Sequence, residues 1–265
     1  MKIRLKPIAT IGVPVLALVL SILTVGLIGG ATPVWGATVH TETVKFPSGK
    51  GTGSGFLAVP EKTGRYGAIV VAPEWWGLTD WVKEQTEKLA TEGYIVLAVD
   101  FYDGKVASDA TQAAELNGAL TQDAAESDLE AALRYLAARQ DVDRSHVAAL
   151  GWGMGGGYVL RLAMHVPQLA ACIVNYAPLP TDPNDVQLIF SPMLGNFGAE
   201  DHGVTPADVS AFEKVLKGLQ RRVDIKIYDG AGHAFENPAS ESGYQPEAAA
   251  DAWSRTIAFL NKTMK

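Results

Sequence analysis

Four short segments of the chain carry residue types that do chemistry at turns: Pro73-Glu-Trp-Trp-Gly77, Gly151-Trp-Gly-Met-Gly-Gly-Gly157, Gly198-Ala-Glu-Asp-His-Gly-Val204 and Asp229-Gly-Ala-Gly-His-Ala-Phe235. The glycine segment lies between the apolar run His146 to Leu150 and the helix-like stretch Tyr158 to His165. It fits two machines. Gly151, Gly153 and Gly156 spell GxGxxG, the turn that lets a backbone cradle phosphates. The same residues fit the sharp strand-to-helix turn G-x-Nu-x-G, which holds up an attacking side chain, with Gly153 at the attacking position.

The other segments separate the two. A dinucleotide cradle needs an acidic residue about 20 positions on, to hold the ribose; Asn175 and Tyr176 stand there instead. That reading also leaves Asp201 and His233 without a role. The nucleophile turn accounts for both, because its partners follow in the order nucleophile, acid, histidine. Here these are Gly153, Asp201 and His233. The N–H of Met154, at the start of a helix, and the N–H of Trp75 would face a developing oxyanion. The run Glu200-Asp201-His202 is no metal site, since consecutive side chains splay apart, and nothing else in the sequence requires a metal or cofactor.

These segments need a scaffold that brings them together. Short runs apolar on both faces read as covered strands: Ala68 to Ala72, Tyr94 to Val99, His146 to Leu150, Ala171 to Asn175, Pro192 to Phe197 and Val223 to Tyr228. Amphipathic helices lie between them, including Asp80 to Gly93, with Asp80 as a cap, Ser127 to Arg139, and Gln245 to Asn261. Thr38 to Phe46 and Gly51 to Val59 read as a hairpin ahead of the alternation. The fold class is therefore α/β, one doubly wound and mostly parallel sheet with an N-terminal antiparallel hairpin. In such a sheet all four segments emerge on one edge, where ligands bind.

Residues 37–265 read as this single domain. Residues 1–36 hold Lys2, Arg4 and Lys6, then an uncharged run from Ile8 to Ile28, then small residues. That is the pattern of an export signal, with cleavage expected between Ala31 and Ala37, or of an uncleaved membrane anchor. Either places the domain outside the cytoplasm, as a periplasmic or secreted protein or one held at the membrane by this segment alone. The rest of the chain has 19 Lys and Arg against 29 Asp and Glu, a net charge of −10. A nucleic-acid partner is excluded by that balance. The single cysteine, Cys172, lies in an apolar run and reads as a core residue rather than a reactive thiol.

The stretch "VVAPEWWGLTDWVKEQTEKLATEGYIVLAVDFYDG" and the loops "GWGMGGG", "FGAEDHGV" and "YDGAGHAFENP" resemble the dienelactone hydrolase family from about Val44 to Leu260. The resemblance implies an α/β-hydrolase fold and a Cys-His-Asp hydrolase of esters or lactones. It also implies that Glu74 lies beside the thiol.

The chain departs from that pattern at its centre. The family's cysteine falls on Gly153, and no serine or threonine occurs between Ser145 and Thr181. Three accounts follow: an inactivating substitution made for study in a cysteine hydrolase, which then traps ligands, a natural binding protein that kept the pocket and lost the reaction, or room for a water that His233 activates. Trp75, Trp76, Tyr102, Trp152 and Phe235 are expected to line the pocket. The arginines that hold an anionic lactone in the family are missing, with Glu236 and Asn237 after "GHAF" and no arginine from Ser108 to Ser127. The expected ligand is a small neutral ester or lactone.

Overall fold

A computed structural model of the chain describes residues 38–49 and 51–265. The reading of residues 1–36 as a leader lies outside the described residues. Strands β1 (Val39–Ser48) and β2 (Gly51–Pro60) form the antiparallel hairpin, with Val44 opposite Gly55. Strands β3 (Tyr66–Ala72), β4 (Ile95–Asp100), β5 (Val142–Trp152), β6 (Ala171–Asn175), β7 (Met193–Gly198) and β8 (Val223–Tyr228) complete one sheet, in the order β1-β2-β4-β3-β5-β6-β7-β8. From β4 to β8 the ladders are parallel, and the hairpin joins them by antiparallel pairing of β2 with β4.

Every residue of β4, β6 and β7 is buried, which is why these strands read as continuous apolar runs. The edge strand β8 instead alternates, with Asp224 and Lys226 exposed. Strand β5 starts at Val142, earlier than its apolar run, because Tyr66 pairs with Val142 across an irregularity in the β3 ladder.

The helices are α1 (Asp80–Thr91), α2 (Ala110–Ala119), α3 (Gln122–Ala138), α4 (Met154–His165), the short α5 (Pro183–Val186), α6 (Pro206–Gly218) and α7 (Pro246–Met264). Leu129 and Leu136 of α3, Val159 and Leu162 of α4, and Phe212 and Leu216 of α6 fill the core on one sheet face. Val82 and Leu89 of α1, with Ala252 and Leu260 of α7, fill the other. The cap of α1 is Thr79, whose side chain accepts from the Val82 N–H, and not Asp80, which is already inside the first turn. Helix α3 likewise starts earlier than its leucine stripe, at the cap Thr121. Cys172 is fully buried in the core, and burial pushes its thiol up to about 12. Among the described residues, no helix is long and apolar enough to cross a membrane.

Candidate active site

Because the strands around β5 run parallel, their carboxyl ends share one edge. Glu74 lies just past β3, Gly153 just past β5, Tyr176 just past β6, Asp201 just past β7 and His233 in the loop after β8. The sheet thus gathers residues up to 159 positions apart, from Glu74 to His233.

Gly153 makes the turn. Its φ of 50° and ψ of −120° lie where side chains are strained, and its N–H donates to the Asn175 carbonyl at 2.9 Å. The neighbouring glycines serve close approach. A Cβ at Gly155 would stand 2.2 Å from the Ala72 carbonyl oxygen, one at Gly151 2.6 Å from the Gly155 backbone, and one at Gly156 2.6 Å from the Ala177 Cβ. Gly153 differs from all three: a Cβ there meets nothing nearer than His233 Nε2, at 3.7 Å. The turn therefore has space for a side chain pointing at the histidine.

His233 is held from behind. Its Nδ1 donates to Asp201 Oδ2 at 2.7 Å, which fixes the neutral ring with Nε2 as the acceptor facing Gly153. Asp201 is 2% exposed, and its other oxygen accepts from the N–H groups of Gly203 (2.8 Å) and Val204 (3.0 Å). Burial pushes the Asp201 carboxyl up, but the His233 bond and these N–H groups outweigh it and hold it below its ordinary value. The bond to Asp201 raises the His233 pKa above its ordinary value, against partial burial of the ring.

Two more carboxylates lie close by. Glu74 is 3% exposed, accepting from Tyr176 Oη at 3.0 Å and Asn237 Nδ2 at 2.7 Å. Burial raises its pKa and these bonds offset only part of that. Glu236 accepts from Trp152 Nε1 at 3.1 Å, and burial, with Glu74 nearby, pushes it up to about 8. Tyr176 ties the group together. It is fully buried, sits edge-on to the His233 ring, and has a φ of 40°.

Tyr102 touches both residues whose N–H groups are the expected oxyanion donors, Trp75 and Met154. Its hydroxyl donates to the Trp75 carbonyl at 3.1 Å and touches Met154 Sδ at 3.6 Å. Met154 opens α4, where backbone N–H groups have no partner within the helix. A cavity of about 580 Å³ opens from this point, lined by Glu74, Trp75, Trp76, Gly153, Met154 and His233 and continuing along α4.

Three expected pocket residues are elsewhere. Trp152 is 2% exposed and packs edge-on against Trp81, because successive side chains of a strand alternate and the last residue of β5 turns toward the α1 and α7 face. Phe235 is fully buried between Tyr176 and Tyr228. Tyr102 lies behind Trp75 and does not line the cavity. Conversely, Tyr176 and Asn237, which hold Glu74, and Arg161 in the cavity wall were not anticipated. Tyr176 is legible afterwards, since it is the first residue beyond a strand on the reactive edge.

A family model, the dienelactone hydrolase family, matches residues 54–264. This chain belongs to the dienelactone hydrolase family. A Saccharolobus solfataricus protein assigned as a carboxymethylenebutenolidase is 32% identical, over 79% of this chain and 94% of its own. A Bradyrhizobium protein assigned as a 2-oxo-3-(5-oxofuran-2-ylidene)propanoate lactonase is 30% identical, over 77% of this chain and 87% of its own. Among solved structures, a dienelactone hydrolase-like promiscuous phosphotriesterase from metagenomic libraries aligns with a TM-score of 0.78 at 27% identity, covering 86% of this chain and 99% of that one. The dienelactone hydrolase fold thus accounts for the sheet and its N-terminal hairpin.

Proposed function

We propose that this dienelactone hydrolase relative binds small neutral esters or lactones, that its covalent route is closed at Gly153, and that it hydrolyses them slowly with water activated by His233. The observation that carries this reading is the 3.7 Å between a Cβ built at Gly153 and His233 Nε2, with Asp201 still bonded to the other ring nitrogen. The base is kept where the nucleophile is not.

The step balances without a side-chain nucleophile. The water proton passes to His233 Nε2 as the water oxygen bonds to the acyl carbon, and the carbonyl electron pair moves onto the oxygen facing the Met154 and Trp75 N–H groups. When the bond to the leaving oxygen breaks, His233 returns the proton to it. An ester leaves as an acid and an alcohol, and a lactone as one hydroxy acid. Loss of a triad member elsewhere leaves roughly 10³–10⁴-fold catalysis over water, which sets the scale expected here.

The neutral class follows from charge. Buried Glu74 flanks the reacting position, and the arginine in the cavity wall, Arg161, is bound by Glu126. Among the described residues that line the cavity, the arginine is thus already paired through Nε, and an anionic substrate would lie against the Glu74 carboxyl. The Bradyrhizobium relative assigned as a lactonase supports the lactone class, although the substrate in its name carries a carboxylate.

A second reading, a binding protein without turnover, draws on Gly153 itself. Hydrolysis of a neutral aryl ester by the native chain beside its His233→Ala variant separates the two. A native rate above background that falls at least tenfold in the variant supports activated water, and equal rates support the binding protein. We also infer from the basic start and uncharged run of residues 1–36 that the chain is exported, which fractionation of the producing cells tests.

A further inference from the structure

The cavity continues well beyond the reacting position. Gly153, Gly157, Leu160, Arg161 and Met164 all line it, at spacings that fall on one face of α4. From Gly153 to Met164 the helix rises about 16 Å at 1.5 Å per residue. Trp76 and the segment Pro178 to Pro180 also line this groove, so its walls are largely apolar. At its far part the Arg161 guanidinium is already bound by Glu126.

Gly157 is the informative residue in this groove. Gly151, Gly155 and Gly156 are demanded by backbone or side-chain contacts closer than 3 Å. A Cβ at Gly157 would meet only Pro178, at 3.6 Å or more, which is ordinary contact. Its backbone is helical with no positive φ. Neither sterics nor conformation requires a glycine there, and a glycine weakens the helix. What the missing side chain leaves open is the wall of the groove itself, where a longer side chain on Gly157 would have to turn past Pro178 into the cavity that reaches His233.

We infer that the groove along α4 receives an extended, unbranched apolar arm of the substrate, of medium alkyl length, and that Gly157 sets how far the arm can pass. This rests on the reading of the site as one for neutral carbonyl compounds. The arm's methylenes would lie against Trp76, Leu179 and Met164, while the carbonyl stays at Gly153.

A series of methyl alkyl ketones, from butanone to nonanone, tests it by calorimetry, because these present a carbonyl and an arm but no leaving group. Affinity should rise roughly three- to fourfold per added methylene until the groove is filled. In Gly157→Leu the rise should stop at a shorter chain, cutting the long-to-short affinity ratio at least tenfold; Met164→Trp should stop it nearer the far end. Absent binding, affinity indifferent to length, or the same length dependence in the native chain and Gly157→Leu would overturn the proposal. The native dependence alone can do so if a variant fails to fold. Ester turnover measured in parallel reports on the function reading separately: no turnover with length-dependent ketone binding removes the hydrolase and leaves the groove.

Discussion

The Nδ1 of His233 lies 2.7 Å from Asp201 Oδ2, and the same ring turns Nε2 toward a residue with no side chain. A histidine with an aspartate behind it is built to take a proton, and the bond to Asp201 makes it a stronger base than a free imidazole. Turnover needs the neutral ring, so the rate should rise with pH through a midpoint above the ordinary histidine value of 6.5. Asp201→Asn should move that midpoint down and lower the rate by no more than His233→Ala does, roughly tenfold or more. A pH–rate profile of both proteins checks it. The linked stability has the opposite sense: the contribution of the raised His233 is complete below 6.5 and lost as pH rises through the folded-state pKa.

The elbow glycines separate into two kinds. Gly155→Ala pushes a methyl group into the Ala72 carbonyl and should cost about 3 kcal/mol or more. Gly157→Ala meets only ordinary contacts and should add about 0.5–1 kcal/mol of stability through helix propensity. Denaturant unfolding of the two variants beside the native chain measures both signs.

Glu236 gives a pH signature of its own. Its carboxyl is pushed up to about 8 from an ordinary 4.5, so the folded state holds a proton that the unfolded chain has released. Its contribution to stability is complete below 4.5 and lost as pH rises toward about 8. Glu236→Gln keeps an oxygen for the Trp152 N–H and removes that loss. The variant should lie nearest the native chain at pH 5 and gain on it by about 4 kcal/mol by pH 9, read from unfolding curves at each pH.

How much of this was legible in the sequence follows from how local each signal is. The strands β4, β6 and β7 show as apolar runs because both their faces are covered, while Glu74 and Asp201 stand out just past β3 and β7, and His233 in the glycine-rich loop after β8. Helix ends were less visible, since the caps Thr79 and Thr121 precede the apolar stripe. The pocket was the least legible part. Trp152 and Phe235 are next to reactive residues in the chain yet turn into the core, while Arg161 reaches the cavity from the third turn of α4. Contacts such as Asn237 to Glu74, 163 positions apart, depend on the sheet order and on no local pattern.

The claim that Gly153 has closed the covalent route is tested most directly by the first turnover. Product release from a neutral aryl ester is followed at enzyme concentrations near those of the ester, for the native chain and for Gly153→Cys. The native chain should release product linearly from the start, while Gly153→Cys should show a burst of about one product per chain as its thiol is acylated, the thiol standing where Nε2 of His233 can take its proton. A burst of one product per native chain, with an acyl group on its intact mass, would contradict the account.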